Sequence, residues 1–295
     1  MSSTGKLVSR NIKLFFRDKT SVFFSLLSVI IIIGLYALFL GNIQVQEIAD
    51  ETGMDSTAAA WLVNSWILAG VLAVSTVTVS LGAYGTMVED VSRGRVKDFF
   101  VAPLKRGQLV AGYMVSSTVI SAIMNLIAFA ISEAYIVASG GELLPPLELL
   151  EVLGILLLSI FAFSSFVCFI TSLIKSVNAF AALSTIVGTL IGFLTGIYVP
   201  VGVLPEAIVT FMKFLPFTYT AVWLREIFTA APMAQIFTGP AAQAGTQYAA
   251  SQGIFIYFGD TRVEPWMMAL IIAASGVLFF LLSLWRLSKR SWIAK

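Results

Sequence analysis

The chain has no histidine and only one cysteine, Cys168. Without histidine it lacks the usual general base and the commonest zinc ligand, which removes most intramembrane protease and metalloenzyme chemistries. With one cysteine no intrachain disulfide can form. Cys168 falls in a Phe-rich run and reads as a small buried apolar group. Charge is also scarce. Charged residues are 12% of the chain and apolar residues 58%, whereas soluble domains carry about 25% charged residues. Such a chain belongs in a bilayer. The net charge of +2 is not pooled on one surface, so no nucleic-acid partner is expected. A phosphate-binding P-loop is missing too. The one Gly-Lys pair, Gly5-Lys6, has no upstream glycine and is followed by Leu7. If ATP drives this protein, another chain supplies the ATPase.

What is present is a set of long apolar runs. A spanning helix needs about 20 such residues. Six segments qualify: Thr20–Gly41, Ala59–Thr86, Leu109–Ala138, Leu147–Ile174, Val177–Val199 and Pro265–Arg286. The first is preceded by an amphipathic stretch and followed by no small-x-small site, so it reads as a span and not as a cleaved signal. Fifteen of the eighteen Lys and Arg lie in the N-terminal segment, the loop around Arg93, the Lys175 turn and the tail after Leu284. The positive-inside rule then places both termini in the cytoplasm. Acids such as Asp50, Asp55 and Glu142 fall on the opposite side.

Two polar segments stand out. In the N-terminal one, Lys6, Arg10, Lys13 and Arg17 fall within about 60° of one helical face. Leu7, Ile12 and Phe15 lie opposite. This predicts an interfacial helix with its basic face toward lipid phosphates. It serves either as an anchor or as a lever that also touches a partner. The other is the charged island Met87–Met114. It holds Arg93, Arg95, Lys97, Lys105 and Arg106 with Glu89, Asp90 and Asp98. It is too short for a domain, and it is patterned as a surface for another protein to grip.

These residues carry a resemblance to the type-2 ATP-binding-cassette permeases. In that family an acid, a glycine, a second acid and an apolar pair precede a Thr/Ala-Pro-apolar-basic sequence. Here Glu89 or Asp90, Gly94, Asp98, Phe99-Phe100 and Ala102-Pro103-Leu104-Lys105 follow that order. Gly112 comes at the family distance, and Tyr113 stands where a basic residue is common. After span five, Pro200, Leu204-Pro205-Glu206, Pro216-Phe217-Thr218-Tyr219 and Leu224-Arg225 resemble the family's short helices that dip back into the outer leaflet. The likeness covers nearly the whole chain except about Met233–Glu264.

The resemblance implies an all-α permease with one domain over 1–295. Residues 1–19 would form an interfacial helix, 87–108 a coupling loop, and 200–264 an external re-entrant and cap region. It implies two ABC ATPase subunits docked on Glu89, Asp90, Arg93, Gly94, Asp98, Phe99, Phe100 and Pro103, with ATP and Mg bound there and no cofactor on this chain. It also implies a second permease subunit, as a homodimer, in a prokaryotic plasma membrane. The work expected is export of an amphipathic or hydrophobic cargo such as a drug, antibiotic, lipid or peptide. An ion-coupled carrier or channel is the competing class, and it needs paired charges at mid-membrane.

Within the spans, Ser65, Thr76 and Ser80 share a face and either line a pathway or bond their own backbone. Asn125 needs a partner, as interhelical glue or as a cargo contact. Glu133 is an intramembrane acid, functional or hydrogen-bonded near the interface. Gly188, Gly192 and Gly196 recur every four residues and permit close packing, within one subunit or at a dimer seam. Pro205, Pro216 and Tyr219 mark the expected re-entrant turn.

Overall fold

A computed structural model of the chain describes residues 3–36, 41–52, 56–101, 106–174, 176–239 and 242–289. Among them the helices are α1 (Ser3–Arg17), α2 (Lys19–Leu35), α3 (Gly41–Thr52), α4 (Ser56–Ser92), α5 (Val96–Val101), α6 (Arg106–Ala138), α7 (Pro146–Leu173), α8 (Val177–Leu194), α9 (Glu206–Met212), α10 (Pro216–Ile236), α11 (Ala242–Ser251) and α12 (Pro265–Lys289). The predicted helical fold carries one small addition, an antiparallel pair β1 (Tyr257–Phe258) and β2 (Thr261–Arg262).

Five helices, α4, α6, α7, α8 and α12, are long and apolar enough to cross a membrane. The predicted first span is described as α2, whose 17 residues reach about 26 Å. Asp18 starts it by accepting the backbone N–H groups of Thr20 and Ser21. A hydrogen bond from the Ser21 hydroxyl, helped by those two backbone bonds, holds the Asp18 carboxyl below its ordinary pKa. α4 is the spine. Its 37 residues reach about 55 Å, far more than a bilayer core needs. It is buried along most of its length against α2, α3, α6, α7, α8 and α10.

The two prolines place the bent pair as expected. Pro205 precedes α9 and Pro216 occupies the first turn of α10, where proline's missing N–H costs nothing. The two helices meet at 92°. The Tyr219 hydroxyl fastens the corner by donating to the Lys213 carbonyl. Thr218 donates to the Leu194 carbonyl at the end of α8 at 3.1 Å. The Phe217 ring lies 6.0 Å from that of Phe163, about 26 Å along α7 from Pro146. The corner therefore sits beside the interiors of long apolar helices.

The glycine triplet of α8 divides into three separate uses. Gly188 has open space beside it, whereas a side chain at Gly192 would strike the Tyr198 ring at 2.2 Å. Gly196 has φ +68°. Its N–H bonds Phe193 while that of Ile197 bonds Gly192, the paired pattern that closes a helix on a left-handed residue.

Close approach also decides how α1 attaches. Leu7, Asn11 and Phe15 are buried, and α1 packs on α6. A Cβ at Gly112 would lie 2.4 Å from Leu7 Cδ2. Gly112→Val is expected to lower stability by about 1–3 kcal/mol and to expose α1 to protease. Gly107→Val, at a position with nothing within 4 Å, should do neither. Thermal melts and limited proteolysis of the two variants test this.

Candidate functional site

The basic-rich ends of the chain come together. A second apolar core joins Leu7 of α1, Met87 of α4, Val96 of α5, Tyr113 of α6, Cys168 of α7 and Leu287 of α12. At its edge lies Asp90, whose side chain is fully buried. A buried carboxylate must be paired and hydrogen-bonded, and Asp90 has three partners. Arg10 clamps it from both guanidinium arms, at 2.7 and 2.9 Å. The Tyr113 hydroxyl donates to it at 2.8 Å. Arg95, in the turn before α5, lies 3.5 Å away. The hydrogen bond to Asp90 raises the pKa of Arg10 above that of a free guanidinium. The same guanidinium lies 5.2 Å over the Phe99 ring and donates to Asn11. Asn11 in turn donates to Ser116 of α6 at 3.1 Å. One carboxylate thus ties α1, the end of α4, the turn into α5, and α6.

The remaining island residues surround this junction. Glu89 faces the surface and pairs with Arg93 at 3.0 Å, both partly exposed. Gly94, at φ +71°, turns the chain out of α4. Asp98 is exposed in the first turn of α5 and Phe99 is half-buried. Of Phe100 only the backbone is described, and Pro103 lies outside the described residues. Arg10, Asn11 and Tyr113 are members of the junction that sequence reasoning missed. The sequence places Arg10 on a basic face toward lipid phosphates, and shows Tyr113 only as standing where a basic residue is common. The signal for Tyr113 was its position one residue after Gly112.

The intramembrane candidates lie elsewhere. Thr76 and Ser80 donate to carbonyls one turn back, and Ser80 also meets Ser121 of α6 at 3.0 Å. Asn125 accepts from Ser75 and donates to the Ser121 carbonyl. These groups form a polar ladder inside the α4–α6 seam. Ser65 lines a cavity of about 70 Å³ with Leu144 and Phe228. Glu133 accepts the Leu144 N–H at 3.2 Å. A larger opening of about 320 Å³ lies between α2, α4 and α8. Its walls are Ser21, Ser25, Thr78, Ser184, Gly188 and apolar neighbours. Of the sequence candidates only Gly188 reaches it. Thr78, two residues from Thr76, is the α4 hydroxyl that faces the opening.

A spine of long apolar helices, a bent helical pair between the last two spans and a packed polar junction at one end define a helical membrane transporter component. The sequence matches the ABC-2 type transporter family over residues 3–229. The chain belongs to that family, as a membrane-spanning permease. No curated protein matches it.

The two ion pairs should differ in energy. Double-mutant cycles on purified protein are expected to give a coupling of about 1–3 kcal/mol for Arg10 with Asp90. The exposed pair Arg93 with Glu89 should give less than about 0.5 kcal/mol.

Proposed function

We propose that this chain is the permease of an ATP-driven exporter of amphipathic or apolar cargo, energised by a separate ABC ATPase subunit. ABC-2 permeases in general pair with such ATPases. The observation that carries the reading is the Asp90 junction. It joins the short helix α5 to α1, α4 and α6 at once, so a push on α5 reaches three elements through fixed polar contacts. The surface offered to the partner is α5 around the exposed Asp98, with the half-buried Phe99 behind it, and Glu89, Arg93 and Gly94 lead the chain into it; the family resemblance adds Phe100 and Pro103 as partner contacts.

In this reading the Asp90 end faces the cytoplasm and both termini lie there. A groove of about 380 Å³ along α1 takes lipid phosphates on Lys6, Lys13 and Arg17, while Arg10 at its edge is held by Asp90. Two copies of the chain pair through α8. That helix is poorly covered within the protomer and exposes Ile186, Leu190 and Phe193. The opening between α2, α4 and α8 then becomes the wall of a central pathway. Its mix of hydroxyls and apolar groups suits an amphipathic cargo better than a small ion. The ladder of Ser75, Ser80 and Asn125 keeps α4 and α6 moving as one body, Glu133 ties the end of α6 to the turn at Leu144, and Ser65 and Thr76 lie on α4 away from that wall. The bent pair at Pro205, Pro216 and Tyr219 closes the far end.

Orientation and coupling are tested together. With Cys168→Ser as background, Asp98→Cys should react with an impermeant maleimide only in inside-out vesicles and should cross-link to the co-expressed ATPase. Asp90→Asn should lower transport by about 5- to 150-fold at equal protein level. Labelling of Asp98→Cys from outside, or full transport by Asp90→Asn, contradicts the reading.

A further inference from the structure

At the end of the fold opposite Asp90, one arginine is treated differently from the other cations. Arg262 pairs with Glu226 and stacks 3.8 Å from the Phe255 ring. Lys213 lies over the Phe258 ring at 5.7 Å. Arg225 is fully buried. Among the described residues, none of its three guanidinium nitrogens has a hydrogen-bond partner. Among the described residues the Trp66 ring compensates it, 4.6 Å from the guanidinium carbon.

That contact is not enough. A desolvated cation–π contact contributes roughly 2 kcal/mol, while burying one ion costs several kcal/mol even after relaxation. A guanidinium cannot relieve the cost by shedding its proton at neutral pH. The surroundings are nevertheless built for it. Gly70, one turn beyond Trp66 on α4, leaves room for Nη2, where a Cβ would come within 3.2 Å. Gly196 and Gly253, both at positive φ, also border Nη1: a Cβ there would sit in ordinary contact with it, at 3.5 and 3.4 Å, and closer still to Val201.

Arg225 also lines a cavity with Thr195, Val201, Thr218 and Gly253. About 10 Å³ of it is open to a water-sized sphere, room for one water or one monatomic ion. A more polar cavity of about 290 Å³, lined by Gln44, Tyr248, Ser251 and Gln252, adjoins it. The turn Pro200–Val203 and the segment Ser251–Gly253 separate the two. We propose that Arg225 is the ligand of a small monatomic anion of the chloride class, which enters through this vestibule and locks α10 to α4 and to the end of α8. The small open space favours a single-atom ligand over a phosphate or a lipid headgroup.

The test is a set of thermal melts of the purified full-length chain, titrated with chloride against gluconate at constant ionic strength. Wild type is expected to rise saturably by about 2–4 °C with chloride alone. Arg225→Gln should lose that rise. Equal curves for chloride and gluconate in wild type, or an equal chloride response in Arg225→Gln, overturn the proposal. If Arg225→Gln does not fold, bromide-soaked crystals of wild type decide. An anomalous peak within about 3.5 Å of the guanidinium supports the site, and none there overturns it.

Discussion

A carboxylate that has no access to water needs cations and hydroxyls brought to it, and at Asp90 these come from separate parts of the chain. Arg10 stands eighty residues away in sequence, and Tyr113 lies on the other side of the charged island. Because the carboxylate is closed off, removing one partner leaves charge stranded in a low-dielectric site. The junction therefore holds geometry more firmly than an exposed pair such as Glu89 with Arg93. Gly112 lets Leu7 approach, and the approach puts Arg10 within reach of Asp90. Packing and electrostatics at this end are one arrangement.

The rest of the architecture extends from that point along α4. The helix is long enough to hold Asp90 at one end and to carry Trp66 and Gly70, beside Arg225, near the other. Between them its faces are differentiated. Ser75 and Ser80 turn toward α6 and are satisfied there. Thr78 and Gly82 turn toward the opening shared with α2 and α8. A helix so committed on one side and open on the other can transmit a displacement while presenting a surface to something that passes.

Much of this was legible in the sequence because hydrophobic length and proline chemistry are local. The long spans follow from apolar runs. The bent pair follows from Pro205 and Pro216 interrupting a run that could not be one straight helix. The charged island could be read as one functional unit, and family resemblance supplied its order of residues. What could not be read was pairing across the fold. Periodicity placed Arg10 on a basic face but could not show that Asp90 would be buried beneath it, nor choose Asp90 over its neighbour Glu89. The polar stripe on α4 was visible, and at 100° per residue Thr78 falls about 160° from Thr76, but with apolar residues on both sides periodicity could not say which side meets the opening. Arg225 could be placed in the short helices of the bent region but not in the interior. Its burial depends on α10 packing against α4, which no local signal encodes.

The central claim is that α1 and α5 form one rigid unit through Asp90. Spin labels at Ser9→Cys and Asp98→Cys, in a Cys168→Ser background with the ATPase bound, measure it directly. A rigid unit gives a narrow distance distribution that is the same without nucleotide and with the ATPase trapped after hydrolysis. A shift of a helical turn, about 5.4 Å, or a broad distribution in the otherwise intact protein would contradict it.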